Sequence, residues 1–434
     1  MRLDQLTSGV WMKFLRSIGV LVLSAFILLV ELSCGDQYRP VANPIISPGG
    51  QPAVAHYAWV VNFNPSGAGS TTQIDVSGDT NLSVTSMGNG SIAEAFPFSS
   101  LALYIANNTG DSVSEYLPTL AGSVTTINLL PGSHPIALGS TQNAAMYVLN
   151  SGTNSACPTT GSLSTIVTST LTVSSTVCVG LNPVAMAQSA TSNYIYVINQ
   201  GDNSVTVVNP AGPSIFGTIT SANGLGPNPI SATASLDGNW IFIVTQGDSA
   251  TPSALDIVSS TGKTVLASVP LGVGPTFSTI DPNRNRLFVA NTAGNSVSVF
   301  DSSTVNPSSS TPMPLLATVL LNQNGMNGMN PIGITPLPDG SLFYVLNSGS
   351  NNVTVVSANS FSPLTTVALP AGADPVFIAS EPTSSKVYVA DKGTRETTII
   401  QTINNTISQS IPAPSQIIGC TVCALQEPVM IVTQ

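Results

Sequence analysis

Eight times along the chain an apolar strand with an aromatic residue near its start runs into Asn, Asp or Thr. The clearest copies are Tyr104-Ile105-Ala106-Asn107, Tyr147-Val148-Leu149-Asn150, Tyr196-Val197-Ile198-Asn199, Phe288-Val289-Ala290-Asn291, Tyr344-Val345-Leu346-Asn347 and Tyr388-Val389-Ala390-Asp391. Trp59-Val60-Val61-Asn62 and Phe242-Ile243-Val244-Thr245 are looser. From aromatic to aromatic the intervals are 45, 43, 49, 46, 46, 56 and 44 residues, the period of a four-stranded propeller blade rather than of a helical or leucine-rich repeat. The expected fold is therefore all-β, a β-propeller of eight blades, or of seven if the irregular first unit is an excursion.

Each unit reads as four strands. In the fourth, residues 183–188 form a small-residue inner strand, 194–199 the aromatic second, 204–209 an alternating third and 215–220 the outer one; the unit beginning at Pro331 repeats the order with 342–347, 352–357 and 365–369. Runs of Val, Ile, Thr and Tyr, separated by Gly-Asp-Asn at 201–203 and Asp-Gly at 237–238 and 339–340, supply what strands and tight turns require. The first aromatic strand has no convincing inner strand before it, whereas Pro428-Val429-Met430-Ile431-Val432 looks like an inner strand with nothing after it. Pairing the two would complete the first blade and leave no open break in the ring.

These units resemble the YVTN β-propeller repeat family of bacterial and archaeal surface proteins, over roughly residues 55–434. The likeness is carried by copies such as Leu287-Phe288-Val289-Ala290-Asn291-Thr292-Ala293-Gly294-Asn295-Ser296-Val297-Ser298-Val299 and by the inter-blade Pro-Leu-Gly-Val-Gly-Pro at 270–275. The resemblance implies a propeller with a scaffold or adhesion role, and a fold of this kind hosts many functions.

The beginning of the chain reads as an address. Met12-Lys13-Phe14-Leu15-Arg16-Ser17 is a basic n-region, with Met12 an alternative start, and Ile18 to Val30 an unbroken apolar h-region. It runs into Glu31-Leu32-Ser33-Cys34-Gly35, which resembles a bacterial lipoprotein processing site. Residues 1–34 are thus expected to be a signal peptide cleaved before a lipidated Cys34, although Glu31 departs from the aliphatic residue of that pattern; ordinary secretion with cleavage nearby is the alternative. Residues 35–54, rich in Pro and Gly, would tether the propeller at 55–434 to the membrane.

Of five cysteines, Cys34 aside, four remain, an even number that suits pairing in an oxidising compartment. Cys157 follows the second strand of its unit and Cys178 lies near the end of the outer strand, so a bridge would pin the long hairpin between them. Cys420 and Cys423 form a Cys-x-x-Cys before the closing strand. A redox role needs a βαβ context and a zinc site two further ligands, so a structural disulfide is expected there too.

Charged residues make up only 7% of the chain and the formal charge is −10. From residue 35 onward seven basic residues face eighteen acidic ones, a balance that argues against nucleic-acid binding. Chemistry is sparse. His56 and His134 are too few for a histidine-rich metal centre and read as loop or channel residues. Asp111, Asp202 and Asp248 recur after Gly in turns and are expected to bond their own backbone. Asn62, Asn107, Asn150, Asn199, Asn291 and Asn347 read as strand-end caps. Ala185, Ala187, Ser231, Thr233, Thr279 and Ile334 suggest a narrow, weakly polar channel, and Arg284 and Arg286 a solvated loop. No catalytic residue, cofactor or metal site is expected.

Two functions fit. One is an exported, lipid-anchored monomer in the periplasm or on a bacterial surface that binds a surface protein or polysaccharide through its loops. The inserts at 305–314 and 322–330 would then be the points of contact. The other is a lactonase-like hydrolase, which needs His, Glu and Arg to converge; Glu94, Glu381 and Arg395 lie in separate units.

Overall fold

The computed structural model describes residues 56–97, 101–118, 122–141, 145–188, 194–281, 283–414 and 426–433. The leader with Cys34, the tether at 35–54 and the Cys420/Cys423 pair lie outside these residues. Thirty-two strands form eight four-stranded antiparallel sheets, arranged as the blades of one ring. Among the described residues the only helices are two three-residue 3₁₀ turns, Ser221–Asn223 and Ser302–Thr304.

Blade 4 shows the plan: Pro183–Gln188, Ile195–Asn199, Ser204–Asn209 and Ser214–Ile219 run from inner to outer edge. The inner strands of blades 2 to 8 are Ser91–Ala95, Pro135–Thr141, Pro183–Gln188, Pro229–Ala234, Pro275–Ile280, Pro331–Pro336 and Pro375–Ser380. Blade 1 takes Tyr57–Phe63, Ala68–Asp75 and Thr80–Asn89 from the start of the ring and its inner strand, Glu427–Thr433, from the other end of the chain. The expected closure is thus found, and the count is eight. Register follows the pleat. In blade 6, Val289 pairs with Ser298, and Phe277 with Ala290.

Blades stack face to face, so both faces of each second strand are covered. That is why these strands read as continuous apolar runs instead of alternating ones. Trp59, Tyr104, Tyr147, Tyr196, Phe242, Phe288, Tyr344 and Tyr388 are each at most 1% exposed, one in every blade. Each such burial stabilises by about 1.5–3 kcal/mol. The residues expected to line a weakly polar channel do not. Ala185, Ala187, Ser231, Thr233, Thr279 and Ile334 are all buried between blades, because side chains of a radial sheet point at its neighbours and not at the axis. The partly exposed inner-strand positions are chiefly apolar, among them Val184, Ile230, Phe277 and Val376.

The longer intervals have visible causes. In blade 3 the loop between Ala145–Asn150 and Ser162–Val167 carries Cys157, which is disulfide-bonded to Cys178 at the end of the outer strand. In blade 6 the inserts precede and follow the outer strand, Leu315–Leu320, and so lie at opposite ends of the sheet.

Candidate functional site

An antiparallel blade puts its second-to-third turns at the same end as the connections between blades. These two sets of loops make one face of the ring, here called the connection face; the inner-to-second and third-to-outer turns make the hairpin face.

The connection face is built on a repeated backbone device. The residue immediately before each inner strand of blades 2 to 8 has a positive φ: Gly90, His134, Asn182, Asn228, Gly274, Asn330 and Asp374. Gly, Asn, Asp and His are the residues that tolerate this region best, and six of the seven precede a proline. His134 is accounted for by this position. Its ring Nδ1 lies 3.1 Å from the Asn108 carbonyl, and its own amide donates to Asp111 at 2.8 Å.

Asp111 also accepts from Gly132 N at 2.7 Å, so it clamps the loop entering blade 3 and does not bond its own turn as expected. Asn203 accepts from Asn228 N at 2.7 Å and Asn295 from Asn330 N at 2.8 Å, the same clamp between later blades. Asp202 likewise reaches away, to Leu181 N at 3.0 Å. Asp202 also accepts locally from the Ser204 hydroxyl, and of the three only Asp248 bonds the backbone of its own turn, through Ala250 N and Thr251 N, which lower its pKa. An aspartate leaves its turn where the neighbouring loop offers an amide within reach.

On these fixed loops the position two residues before the inner strand is Leu181 in blade 4, Pro227 in blade 5, Val273 in blade 6 and Met329 in blade 7. Leu181, Val273 and Met329 are 45%, 68% and 47% exposed, whereas the equivalent Ser133 and Ala373 of blades 3 and 8 are buried. Met329 belongs to the second insert. On blades 4 to 7 the charged residues of the connection face are Asp202 and Asp248, both exposed, with no Lys or Arg. The first insert, by contrast, is partly drawn inward: Met313 is 1% exposed and packs beneath it.

Beneath this face runs a buried polar seam. The asparagines read as strand-end caps are at most 1% exposed, and each donates through Nδ2 to two groups on the third strand of its blade. Asn199 donates to Ser204 and Thr206 at 3.1 and 2.9 Å, and Asn291 to Ser296 and Ser298 at the same distances. Asn62, Asn107, Asn150 and Asn347 do likewise. Asn107, Asn199 and Asn291 also accept from Gly88, Gly180 and Gly272 N. The sequence carries a signal for this seam: hydroxyl residues alternate at the start of the third strand, as in Ser112-Val113-Ser114 and Ser204-Val205-Thr206.

Two blades depart from it. In blade 5 the second strand ends in Thr245, and a carboxylate, Asp256, stands on the third strand, where it accepts from Gly226 N at 2.8 Å and Ser268 Oγ at 2.6 Å. Desolvation nevertheless raises its pKa. In blade 8 the asparagine is replaced by Asp391, which accepts from the Thr398 hydroxyl while its Oδ1 has no partner. Burial, opposed by the Thr398 hydroxyl and assisted by Glu396, pushes Asp391 up to about 7.

The residues that a hydrolase would have to gather are held apart. Glu94 is fully buried on the inner strand of blade 2. Glu381 is buried on the hairpin face, where, despite desolvation, its bonds to Thr383 and Ser385 lower its pKa. Arg395 is exposed in a turn of the connection face at φ 60. Arg284 and Arg286 are not a free solvated pair: they bond Asn359 and the Ala358 carbonyl of blade 7, and Arg286 lies over the Phe361 ring. His56 is partly buried, and its carbonyl accepts from Val76 N. Among the described residues no three His, Cys, Asp or Glu come together as a metal site.

No protein-family model and no curated protein sequence matches the chain. Many solved structures share its fold. The dihydro-heme d1 dehydrogenase NirN aligns over 91% of this chain and 79% of its own, with TM-score 0.65 and 11% identity. AztD from Citrobacter koseri aligns over 88% and 98%, with TM-score 0.58 and 13% identity. The periplasmic gluconolactonase PpgL of Pseudomonas aeruginosa aligns over 87% and 98%, with TM-score 0.55 and 14% identity. At such identities the likeness supports the β-propeller fold alone and leaves activity to be argued from this chain's own residues.

Proposed function

We propose that the protein is an exported, lipid-anchored propeller that binds a partner protein through the connection face of blades 4 to 7. The observation that carries this reading is the exposure of Leu181, Val273 and Met329 at equivalent places on loops fixed by hydrogen bonds to the turns and strands beside them. Rigid backbone lowers the ordering cost of binding, and exposed apolar side chains supply the contact energy. With Asp202 and Asp248 as the charges beside them, the partner surface is apolar and basic. Protein is favoured over polysaccharide because Phe216, at 38%, is the one exposed aromatic side chain among the described residues. Its ring is stacked on Tyr194 at 4.4 Å and approached by Lys263, so it offers no open platform.

Export is supported by the Cys157–Cys178 disulfide and by the leader-like sequence before Cys34. A surface role rests on the resemblance of the blades to YVTN repeats. The separation of Glu94, Glu381 and Arg395 favours this reading over a lactonase. In cells, a photo-crosslinking residue at Val273 is expected to trap a defined protein, and Met329→Asp to abolish the product. A crosslinker at Leu266, exposed on the outer strand of blade 5, is the control. Equal capture at both sites, or turnover of lactones by the purified protein, would overturn the reading. Cys34→Ala is expected to move the protein from the membrane to the soluble fraction.

A further inference from the structure

The inner strands share one position that faces the preceding blade. It is Leu138 in blade 3, Met186 in blade 4, Ala232 in blade 5, Ser278 in blade 6, Ile334 in blade 7, Ile378 in blade 8 and Ile431 in the closing strand of blade 1. In blade 2 it is Glu94. A carboxyl group at a position that is otherwise apolar or a small hydroxyl breaks the repeat at one blade, and the blade that Glu94 faces is the one closed by the chain's last described strand.

Glu94 is 0% exposed, and it bonds to that strand. Its Oε1 accepts from Val432 N at 3.1 Å, and its own amide lies 3.3 Å from Met430 Sδ. Its Oε2 has no hydrogen-bond partner. The Thr71 hydroxyl of blade 1 is near enough to favour the ionised form without meeting hydrogen-bond geometry. A protonated carboxyl can accept from Val432 through one oxygen and donate through the other; an ionised one leaves a buried charge with one amide hydrogen bond and the nearby Thr71 hydroxyl to stabilise it.

Among the described residues no cation on the strands packed around Glu94 answers that charge. The strands packed against Ser91–Ala95 are Leu103–Asn107, Pro135–Thr141, Tyr57–Phe63, Ala68–Asp75 and Glu427–Thr433. Their titratable side chains are Tyr104, Tyr57, Asp75 and Glu427. Tyr104 is bonded to Glu115, Asp75 to Ser77 and Glu427 to Lys392 of blade 8. None is positive, and Lys392 is engaged with Glu427.

We propose that Glu94 is a proton-controlled latch on the ring-closing strand: the protonated carboxyl holds Glu427–Thr433 against blade 2, and loss of the proton frees that strand to undock. The sign follows from burial, which raises the Glu94 pKa well above its ordinary 4.5. Undocking exposes the carboxyl and returns it to the ordinary range. The latch is therefore strongest below about 4.5 and weakens as pH rises toward the folded-state value.

The test is hydrogen exchange of the full chain, followed on peptides covering 427–433 between pH 5 and 8 and corrected for intrinsic rates. One-proton linkage predicts that the opening equilibrium rises about tenfold per pH unit until the carboxyl titrates in the docked state. Glu94→Gln, which keeps the acceptor for Val432, is expected to remove this dependence, as is Glu94→Leu, which copies Leu138. Both are compared in an Asp391→Asn background, so that titration in blade 8 does not contribute. A wild-type chain whose closing strand shows no pH dependence overturns the proposal; so does a dependence that persists in either variant.

Discussion

Asn199 and Thr206 are joined across neighbouring strands of blade 4, amide to hydroxyl, at 2.9 Å, with both side chains buried. The same bond recurs between Asn107 and Ser114, Asn150 and Ser164, and Asn291 and Ser298. Neighbouring apolar strands could slip in register; in the six blades that carry the asparagine, a buried amide with two fixed acceptors fixes the offset of the second strand against the third.

Removing one such amide should therefore cost more than an ordinary hydrogen bond. Asn199→Ala strands the Gly180 amide and deprives two hydroxyls of their donor. The expected loss is about 3 kcal/mol, since each buried unsatisfied group costs roughly 1–3 kcal/mol. Denaturant unfolding of the two proteins measures it, and a loss below about 0.5 kcal/mol would show the seam to be dispensable.

Asp391 gives the seam a pH dependence in blade 8. Its pKa is raised from 3.8 to about 7, so its contribution to stability is fully present below 3.8 and is lost as pH rises to about 7. Each pH unit in that window weakens the fold by about 1.4 kcal/mol relative to Asp391→Asn. The variant is expected to melt at a higher temperature than the wild type at pH 8 and by a smaller margin at pH 5. Equal margins at both values would contradict the assignment.

The disulfide closes a loop of 21 residues in blade 3. Chain entropy puts its contribution at about 3 kcal/mol. The double substitution Cys157→Ala/Cys178→Ala should lose about that much, and wild type in reductant should lose the same. Differential scanning calorimetry in oxidising and reducing buffer compares the two.

Deletion of 427–434 removes the inner strand of blade 1. Met430 and Ile431, both nearly inaccessible, lose their burial. At about 1.5–3 kcal/mol for each side chain, the loss is about 4 kcal/mol before the stranded backbone bonds are counted. A truncated chain that melts within a degree of the full one would show that the ring does not depend on this closure.

The propeller and its ring closure were legible in the amino-acid order, and eight units were expected with seven as the alternative. This was so because an aromatic, an apolar run and a terminal Asn recur with a spacing that only one kind of repeating unit requires. Trp59 without a preceding inner strand and Met430 without a following one were legible as two halves of a blade for the same reason. The Cys157–Cys178 bond was legible from hairpin length. The environment of each polar side chain, by contrast, was set by the packing of the blades. Asn199 looked like a cap because sequence gives distance along the chain, while burial and bonding to Thr206 depend on the blade stacked against it. Asp111 and Asp248 follow glycine alike, yet one reaches the loop entering blade 3 and the other closes its own turn, a choice made by which amide the fold brings near. Glu94 read as an isolated acid; only ring closure placed it against Val432, because that contact joins residues 338 positions apart. The exposure of Val273 and the burial of Ala373 at equivalent loop positions were settled in the same way, by packing between blades that no local pattern records.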